Sequence, residues 1–232
     1  MCTLREPLGV SKESITLGVY VGGSSVESVS SRGHETVIGT QATQEPEAWL
    51  ELILYGISHD SGQELRGAFA FGAGVSRKLE FNLRRKARAA GFHMVLVVPA
   101  TAAAREGLSG EELDPQVPLI VLHPERSQLG VGDRADWVRP IPGREARELA
   151  VSLRCLLKSL TPGERRERLR RVVVVGSDEI VDAYGRRTIE DELRGIGARK
   201  VEFRHEAFAL ARGALEVGRK TPRTLWRRVA RS

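Results

Sequence analysis

Residues 15–29 read Ile-Thr-Leu-Gly-Val-Tyr-Val-Gly-Gly-Ser-Ser-Val-Glu-Ser-Val. Two strand-like runs, Ile15–Val21 and Ser25–Ser30, flank Gly22-Gly23-Ser24, so two strands joined by a tight turn are expected. That turn has two readings. One is an ordinary β-hairpin. The other is a phosphate cradle, because glycine lets backbone N–H groups face inward with no side chain in the way. The rest of the chain bears on the choice.

With 232 residues, 41% of them hydrophobic, the chain is long enough for one two-lobed domain or two small ones. Aromatic residues make up 5%, so the core must be mostly Val, Leu, Ile and Ala. No apolar run approaches the roughly 20 residues that span a bilayer. Met1–Lys12 lacks a charged-then-apolar leader pattern, and a cytoplasmic location is expected. Cys2 and Cys155 make no disulfide framework and read as buried or idle thiols in a reducing compartment. The net charge is +6. Arg219, Lys220, Arg223, Arg227, Arg228 and Arg231 supply all of it from the last stretch, which leaves the body formally neutral.

The order of elements continues from the opening pair. Residues 1–14 are polar and read as a loose N-terminus. Glu35–Gln41 predicts a third strand, closing an antiparallel meander. Pro46 opens a helix whose apolar face is Trp49, Leu50, Ile53, Leu54 and Ile57. Arg66–Gly72 is a short strand. Ser76 suits the N-cap of a helix carrying Leu79, Leu83, Ala87 and Ala90, with Gly91 as its stop. Its outer face (Arg77, Lys78, Arg84, Arg85, Lys86, Arg88) reads as a solvated surface more readily than as a binding patch. His93–Val98 is a strand, and Pro99–Gly107 starts a short helix.

A polar, turn-rich boundary at 109–116 follows, and then the pattern repeats. Strands are expected at Leu119–Leu122, Ser127–Val131 and Asp136–Ile141. Gly143 precedes a helix with Leu149, Leu153, Leu156, Leu157 and Leu160 on one side. Thr161-Pro162-Gly163-Glu164 spells a capping box. Val172–Val175 reads as a strand buried on both faces. Helix Arg187–Gly195, strand Lys200–Phe203 and helix Glu206–Gly218 complete the body. The expectation is therefore an α/β chain of two lobes, 15–112 and 113–218, each βββαβαβα, with a basic tail at 219–232.

This pattern resembles the superfamily of actin, sugar kinases and DnaK-type chaperone ATPases, whose lobes have a ribonuclease H-like core. Three segments carry the resemblance. Leu17–Val26 looks like the first phosphate motif. Ala87–Ala104, with Ala89-Ala90-Gly91 and Val98-Pro99-Ala100-Thr101-Ala102-Ala103-Ala104, looks like the connecting segment of the chaperone branch. Val172-Val173-Val174-Val175-Gly176-Ser177 followed by Glu206–Leu215 looks like the adenosine motif and the helix after it. The resemblance implies that Gly22, Gly23, Ser24, Ser25, Gly176 and Ser177 are the residues that would meet a nucleotide's phosphates. It also implies that the large insertions forming the upper subdomains of the chaperones are missing here.

Three positions depart from the family. Tyr20 stands where the first motif has a magnesium-holding Asp. Ala100 stands where the connecting motif has a Glu. Leu122-His123-Pro124-Glu125-Arg126-Ser127 replaces the second phosphate turn, with His123 for its Asp and a proline that has no N–H to donate. Phosphoryl transfer relies on Mg²⁺ held through carboxylates and water, so a pseudo-ATPase is expected, with no cofactor.

Other chemistry finds little support. Gly213–Thr221 nearly spells a P-loop, but Lys220 is one residue late and the stretch ends a helix. His34, His59, His93, His123 and His205 make no metal spacing with the cysteines; His123 and His205 are the two that could share a cleft. In the tail, a helix would gather Leu225, Trp226, Val229 and Ala230 on one side and Arg223, Arg227 and Arg231 on another, with Arg228 between.

Three functions stand open. The first is a non-catalytic scaffold or adaptor that binds another protein. The second is a minimal ATPase that binds ATP and Mg²⁺, with acids from Glu27, Glu125, Asp178 or Glu179. The third is a protein bound to an anionic membrane or nucleic acid through Arg223, Trp226, Arg227, Arg228 and Arg231.

Overall fold

The computed structural model describes residues 14–22, 25–39, 46–55, 63–72, 77–108, 113–132, 134–138 and 143–228. Their first half runs β1 (Ile15–Val21), β2 (Ser25–Ser30), β3 (Glu35–Gly39), α1 (Pro46–Tyr55), β4 (Leu65–Phe71), α2 (Arg77–Ala89), β5 (Met94–Pro99) and α3 (Ala100–Gly107). The second half runs β6 (Leu119–Val121), β7 (Ser127–Val131), β8 (Arg134–Val138), α4 (Glu145–Leu156), α5 (Pro162–Arg168) and β9 (Arg171–Val175). It continues through α6 (Asp178–Tyr184), α7 (Arg186–Gly195), β10 (Lys200–Arg204) and α8 (Ala209–Lys220) to β11 (Arg227–Arg228).

The duplication is expressed in the sheets. Among the described residues the strand orders are β11-β5-β4-β1-β2-β3 and β10-β9-β6-β7-β8. In each, a meander of antiparallel neighbours is extended on the far side of its first strand by two parallel strands. Parallel strands need helical crossovers, and those helices cover both faces of each sheet.

Period-2 alternation divides β1 between two cores. Ile15, Leu17 and Val19 pack with Trp49, Leu50 and Ile53 of α1 and with Leu83 and Ala87 of α2. Tyr20 faces the central layer between the sheets. Residues Val172–Val175 of β9 are likewise divided, Val173 and Val175 inward and Val172 and Val174 towards α4, α6 and α7. A strand buried on both faces has no place for a polar side chain, which is why four valines run together there.

The central layer is made by an exchange of helices. α8 belongs to the second half of the chain but lies on β1, β2 and β4 of the first sheet. α3 belongs to the first half but also packs on β6 and β7 of the second. Glycine permits both. A Cβ on Gly18 of β1 would stand 2.0 Å from the Ala211 carbonyl oxygen, and one on Gly130 of β7 would stand 2.9 Å from Thr101. The two helices then cross at a second pair. A Cβ on Gly107 would lie 1.7 Å from the Ala209 oxygen, and one on Gly213 would lie 1.6 Å from the Ala103 oxygen. The topology repeats between the end of α3 and the start of β6, while the packing interlocks across the two halves.

Several expected boundaries move. β3 is described to Gly39, and residues 40–41, Ile57 and Ser76 lie outside the described residues. β8 starts two residues before the expected Asp136 and is described to Val138. α6 was not expected; Ser177 caps it, its hydroxyl accepting the Ile180 N–H at 3.4 Å, and Asp178 and Glu179 fill its first turn. Asp178 and Glu179, candidate acids of the ATPase reading, therefore favour a helix start. α8 begins at Ala209, not Glu206, because Phe208 takes the left-handed conformation, φ 61°. The Thr161 capping box forms as expected, with Glu164 returning to the Thr161 N–H at 2.8 Å. Cys155 is exposed on α4, not buried.

The tail differs most. After α8 comes a 3-10 turn, Arg223–Leu225, and then β11, which pairs antiparallel with Met94 and Val95. Trp226 is 5% exposed in the central core. Its Nε1–H donates to the Thr221 carbonyl at 3.3 Å, and its ring packs beside Gly218. An amphipathic helix through Leu225 and Trp226 is ruled out. Burying the indole and pairing the β5 edge outweigh a short helix that would have had no tertiary contacts.

Candidate functional site

Gly22, Ser25, Gly176 and Ser177 are brought together. They line one cavity between the lobes with Tyr20, Glu27, His205 and Glu206. The phosphate-motif residues Gly23 and Ser24 lie outside the described residues. The cavity measures about 60 Å³. Pockets that take drug-sized ligands measure roughly 300–1,000 Å³.

Tyr20 and His123 stand beside the cleft. Tyr20, on β1, is 8% exposed, and His123, at the end of β6, is 4% exposed. They meet over Gly72, just past β4. A Cβ there would lie 2.5 Å from His123 Cδ2 and 2.7 Å from the Tyr20 hydroxyl. Burial, and then the nearby charge of Glu27, push the Tyr20 phenol above its ordinary pKa, so it stays neutral. His123 Nδ1 accepts the Glu125 N–H at 3.2 Å. That assigns the ring proton to Nε2, which donates to the Gly22 carbonyl. Burial lowers the His123 pKa, while the Glu125 charge and the Gly22 carbonyl oppose the shift. One imidazole thus links the end of β1 to the β6–β7 turn.

That turn is tightly held. The His123 N–H donates to Ser127 Oγ at 3.1 Å, and the Tyr184 hydroxyl donates to the His123 carbonyl at 2.9 Å. Ser127 Oγ and the Tyr184 hydroxyl are 3.2 Å apart. The His123 N–H is therefore occupied within the protein, and Pro124 has none.

Ala100, the third departing position, is fully buried as the first residue of α3. Beside it the Thr101 N–H donates to Gln128 Oε1 at 2.8 Å. Gln128 comes from β7 and is 2% exposed. A side chain of the second lobe thus caps the helix of the first.

Glu27 remains at the cavity wall. Its carboxylate accepts the Phe208 N–H and lies near His205 and Arg212, yet burial dominates and raises its pKa. Arg212 also pairs with Glu35 at 3.0 Å. His205 faces Glu27 and lines the cavity, whereas His123 lies beside Tyr20 and Gly72; the two are on different parts of the cleft. Of the other candidate acids, Asp178 pairs with Arg186 at 3.5 Å, and Glu125 and Glu179 are exposed. Among the described residues no three His, Cys, Asp or Glu side chains gather as a metal site.

Sequence reasoning missed Gly72, Gln128, Tyr184 and Phe208. Gln128 carried a signal, a polar residue within a buried strand. The other three carried none, since each matters through a partner distant in the chain. The tail residues are dispersed. Trp226 is in the core, Arg223 begins the 3-10 turn, Arg227 and Arg228 form β11, and Arg231 lies outside the described residues. Among the described residues no helix is long and apolar enough to cross a membrane.

No protein-family model matches the chain, and no curated protein matches it in sequence. Solved structures do. A MamK double helical filament matches with TM-score 0.69 and 14% identity, covering 90% of this chain and 100% of that one. A non-polymerising MamK variant bound to AMPPNP gives 0.65 and 14%, over 90% and 100%. The ethanolamine utilization protein EutJ from Carboxydothermus hydrogenoformans gives 0.56 and 12%, over 88% and 90%. The chain has the actin-like ATPase fold.

Proposed function

We propose that this chain is a non-catalytic scaffold on the actin-like ATPase fold, which binds another protein and leaves its interlobe cleft without a nucleotide. The observation that carries the reading is the meeting of Tyr20 and His123 over Gly72. Two neutral rings fill the place where the family resemblance expects carboxylates around hydrated Mg²⁺. Gln128 occupies the start of α3 in the same way. Mg²⁺ needs oxygen ligands in a near-octahedral set, and a phenol and an imidazole packed against bare backbone offer no such set. A Mg–nucleotide does not fit these residues as they stand.

The ATPase reading keeps one observation of its own. Glu27 lines the cavity with Gly22, Ser25, Gly176 and Ser177, so one carboxyl faces the phosphate-motif residues.

One measurement decides between them. Thermal unfolding is followed with and without millimolar Mg-ATP, for the wild-type chain and for Gly22→Val. A ligand at 100 times its Kd stabilises by about 2.7 kcal/mol, which is several degrees for a chain of this size. The scaffold reading expects no shift in either protein. A shift present in the wild type and abolished by Gly22→Val overturns it.

A further inference from the structure

The two sheets share a strand order but differ at the outer edge of the fifth strand. On the first sheet β11 covers β5. On the second, β10 is the edge, and among the described residues no strand pairs with its outer side. Its bonds to β9 come from alternate residues. The Lys200 N–H donates to the Arg170 carbonyl at 3.1 Å, and the Arg204 carbonyl accepts the Gly176 N–H at 3.3 Å. By the alternation of a strand, the intervening Val201 and Phe203 turn their N–H and C=O groups to the open side.

A surface concavity of about 400 Å³ runs along that edge, lined by Arg171, Lys200, Glu202, Phe203 and Arg204. Glu202 accepts from Arg171 at 2.8 Å, pairs with Lys200 and lies 3.5 Å from Arg204. The hydrogen bond from Arg171, more than any other contact, holds its pKa down to about 2. Arg186 sits 4.6 Å over the Phe203 ring and pairs with Asp178. Four cations against two carboxylates leave a positive rim around unpaired backbone. Three of those cations converge on Glu202, so the rim keeps its geometry with no ligand; a vacant pocket for a small anion would aim them at empty space.

We propose that the outer edge of β10 accepts an extended acidic segment of a partner protein as an added strand. Its backbone bonds to Val201 and Phe203, and its carboxylates, all on one face of the added strand, lie towards Lys200 and Arg204. The C-terminal strand of a second copy is the wrong occupant, because Arg227 and Arg228 would meet like charge. The proposal rests on the reading of the chain as a binding scaffold, for which it supplies a contact; it does not depend on the state of the cleft.

The test uses the full chain, isotope-labelled for amide detection, and a synthetic peptide of about six residues alternating Glu and Val. A Lys/Val peptide serves as control. The expected result is slowed hydrogen exchange at the Val201 and Phe203 amides with the acidic peptide alone, and binding that weakens as salt is raised. Val201→Pro removes an outward N–H and no bond to β9, so it should fold and bind about tenfold more weakly. If that variant does not fold, Lys200→Glu/Arg204→Glu should show the same loss.

Four results would overturn the proposal: no protection at Val201 and Phe203, equal binding of the Lys/Val peptide, displacement of the acidic peptide by equimolar inorganic phosphate, or a dimer that forms through this edge. Mg-ATP binding in the separate thermal experiment would overturn the empty-cleft reading and leave the β10 result standing.

Discussion

Replacing Gly213 with alanine tests the central layer most directly. The new methyl carbon would sit 1.6 Å from the Ala103 oxygen, 2.5 Å from the Ala103 carbonyl carbon and 2.8 Å from the Gly107 nitrogen. An ordinary carbon–oxygen approach is about 3.3 Å, so α3 and α8 must separate by roughly 1.7 Å. Both sides of the contact are helix backbone, and no side chain can rotate away. A gap of even ~0.5–1 Å forfeits a quarter to a half of each dispersion contact, and the alanines along this crossing lose theirs together. Overpacking of this kind costs about 3 kcal/mol, against which the better helix propensity of alanine returns at most ~1. The net loss is about 2 kcal/mol or more, a fall in Tm of at least roughly 4–8 °C.

The control is Gly195, the last residue of α7, where an added Cβ meets nothing within 4 Å. Gly195→Ala keeps the propensity gain and should be neutral or stabilising by up to ~1 kcal/mol. Thermal and urea unfolding of both variants provide the comparison. Gly107→Ala adds a second arm. Once one methyl has parted the helices the other finds room, so the double variant should cost less than the two single variants combined. If Gly213→Ala behaves like Gly195→Ala, the close crossing of α3 and α8 is refuted.

The remaining predictions concern the cleft and the tail. His123 has a lowered pKa in the folded chain, so between that value and its ordinary 6.5 the unfolded chain binds more protons. Its contribution to stability is whole above pH 6.5 and is lost as pH falls below it. His123→Gln should flatten the slope of urea midpoint against pH between about 7 and 5, and an unchanged slope would show that the imidazole is not held neutral. Trp226→Ala should destabilise by about 3–5 kcal/mol, as deletion of a large core side chain does. In a variant with Trp49 and Trp137 replaced by Phe, its fluorescence should be resistant to aqueous quenchers, and ready quenching would contradict its burial.

Some of this was legible in the chain itself. The order of strands and helices, and the fact that it occurs twice, follow from local periodicity. Ile15–Val21 and Val172–Val175 can only be interior strands, and Leu149, Leu153 and Leu157 can only be one face of a helix. That Tyr20, Ala100 and His123 stand where the resemblance expects carboxylates was readable too, because it is a matter of residue identity. Tertiary structure alone decided what those residues do. Tyr20 and His123 are about a hundred positions apart and meet because Gly72, from a third segment, leaves room for both rings. Gly107 and Gly213 read as a helix end and a helix interior, yet together they let two helices touch backbone to backbone across the lobes. The tail read as a basic segment outside the packed body, helical only in contact with a partner, and the pull of a buried indole and an uncovered β5 edge made part of it a strand. Periodicity records which face of an element is apolar. It does not record which distant element will cover that face, because that depends on close approaches between groups whose only mark in the sequence is the absence of a side chain.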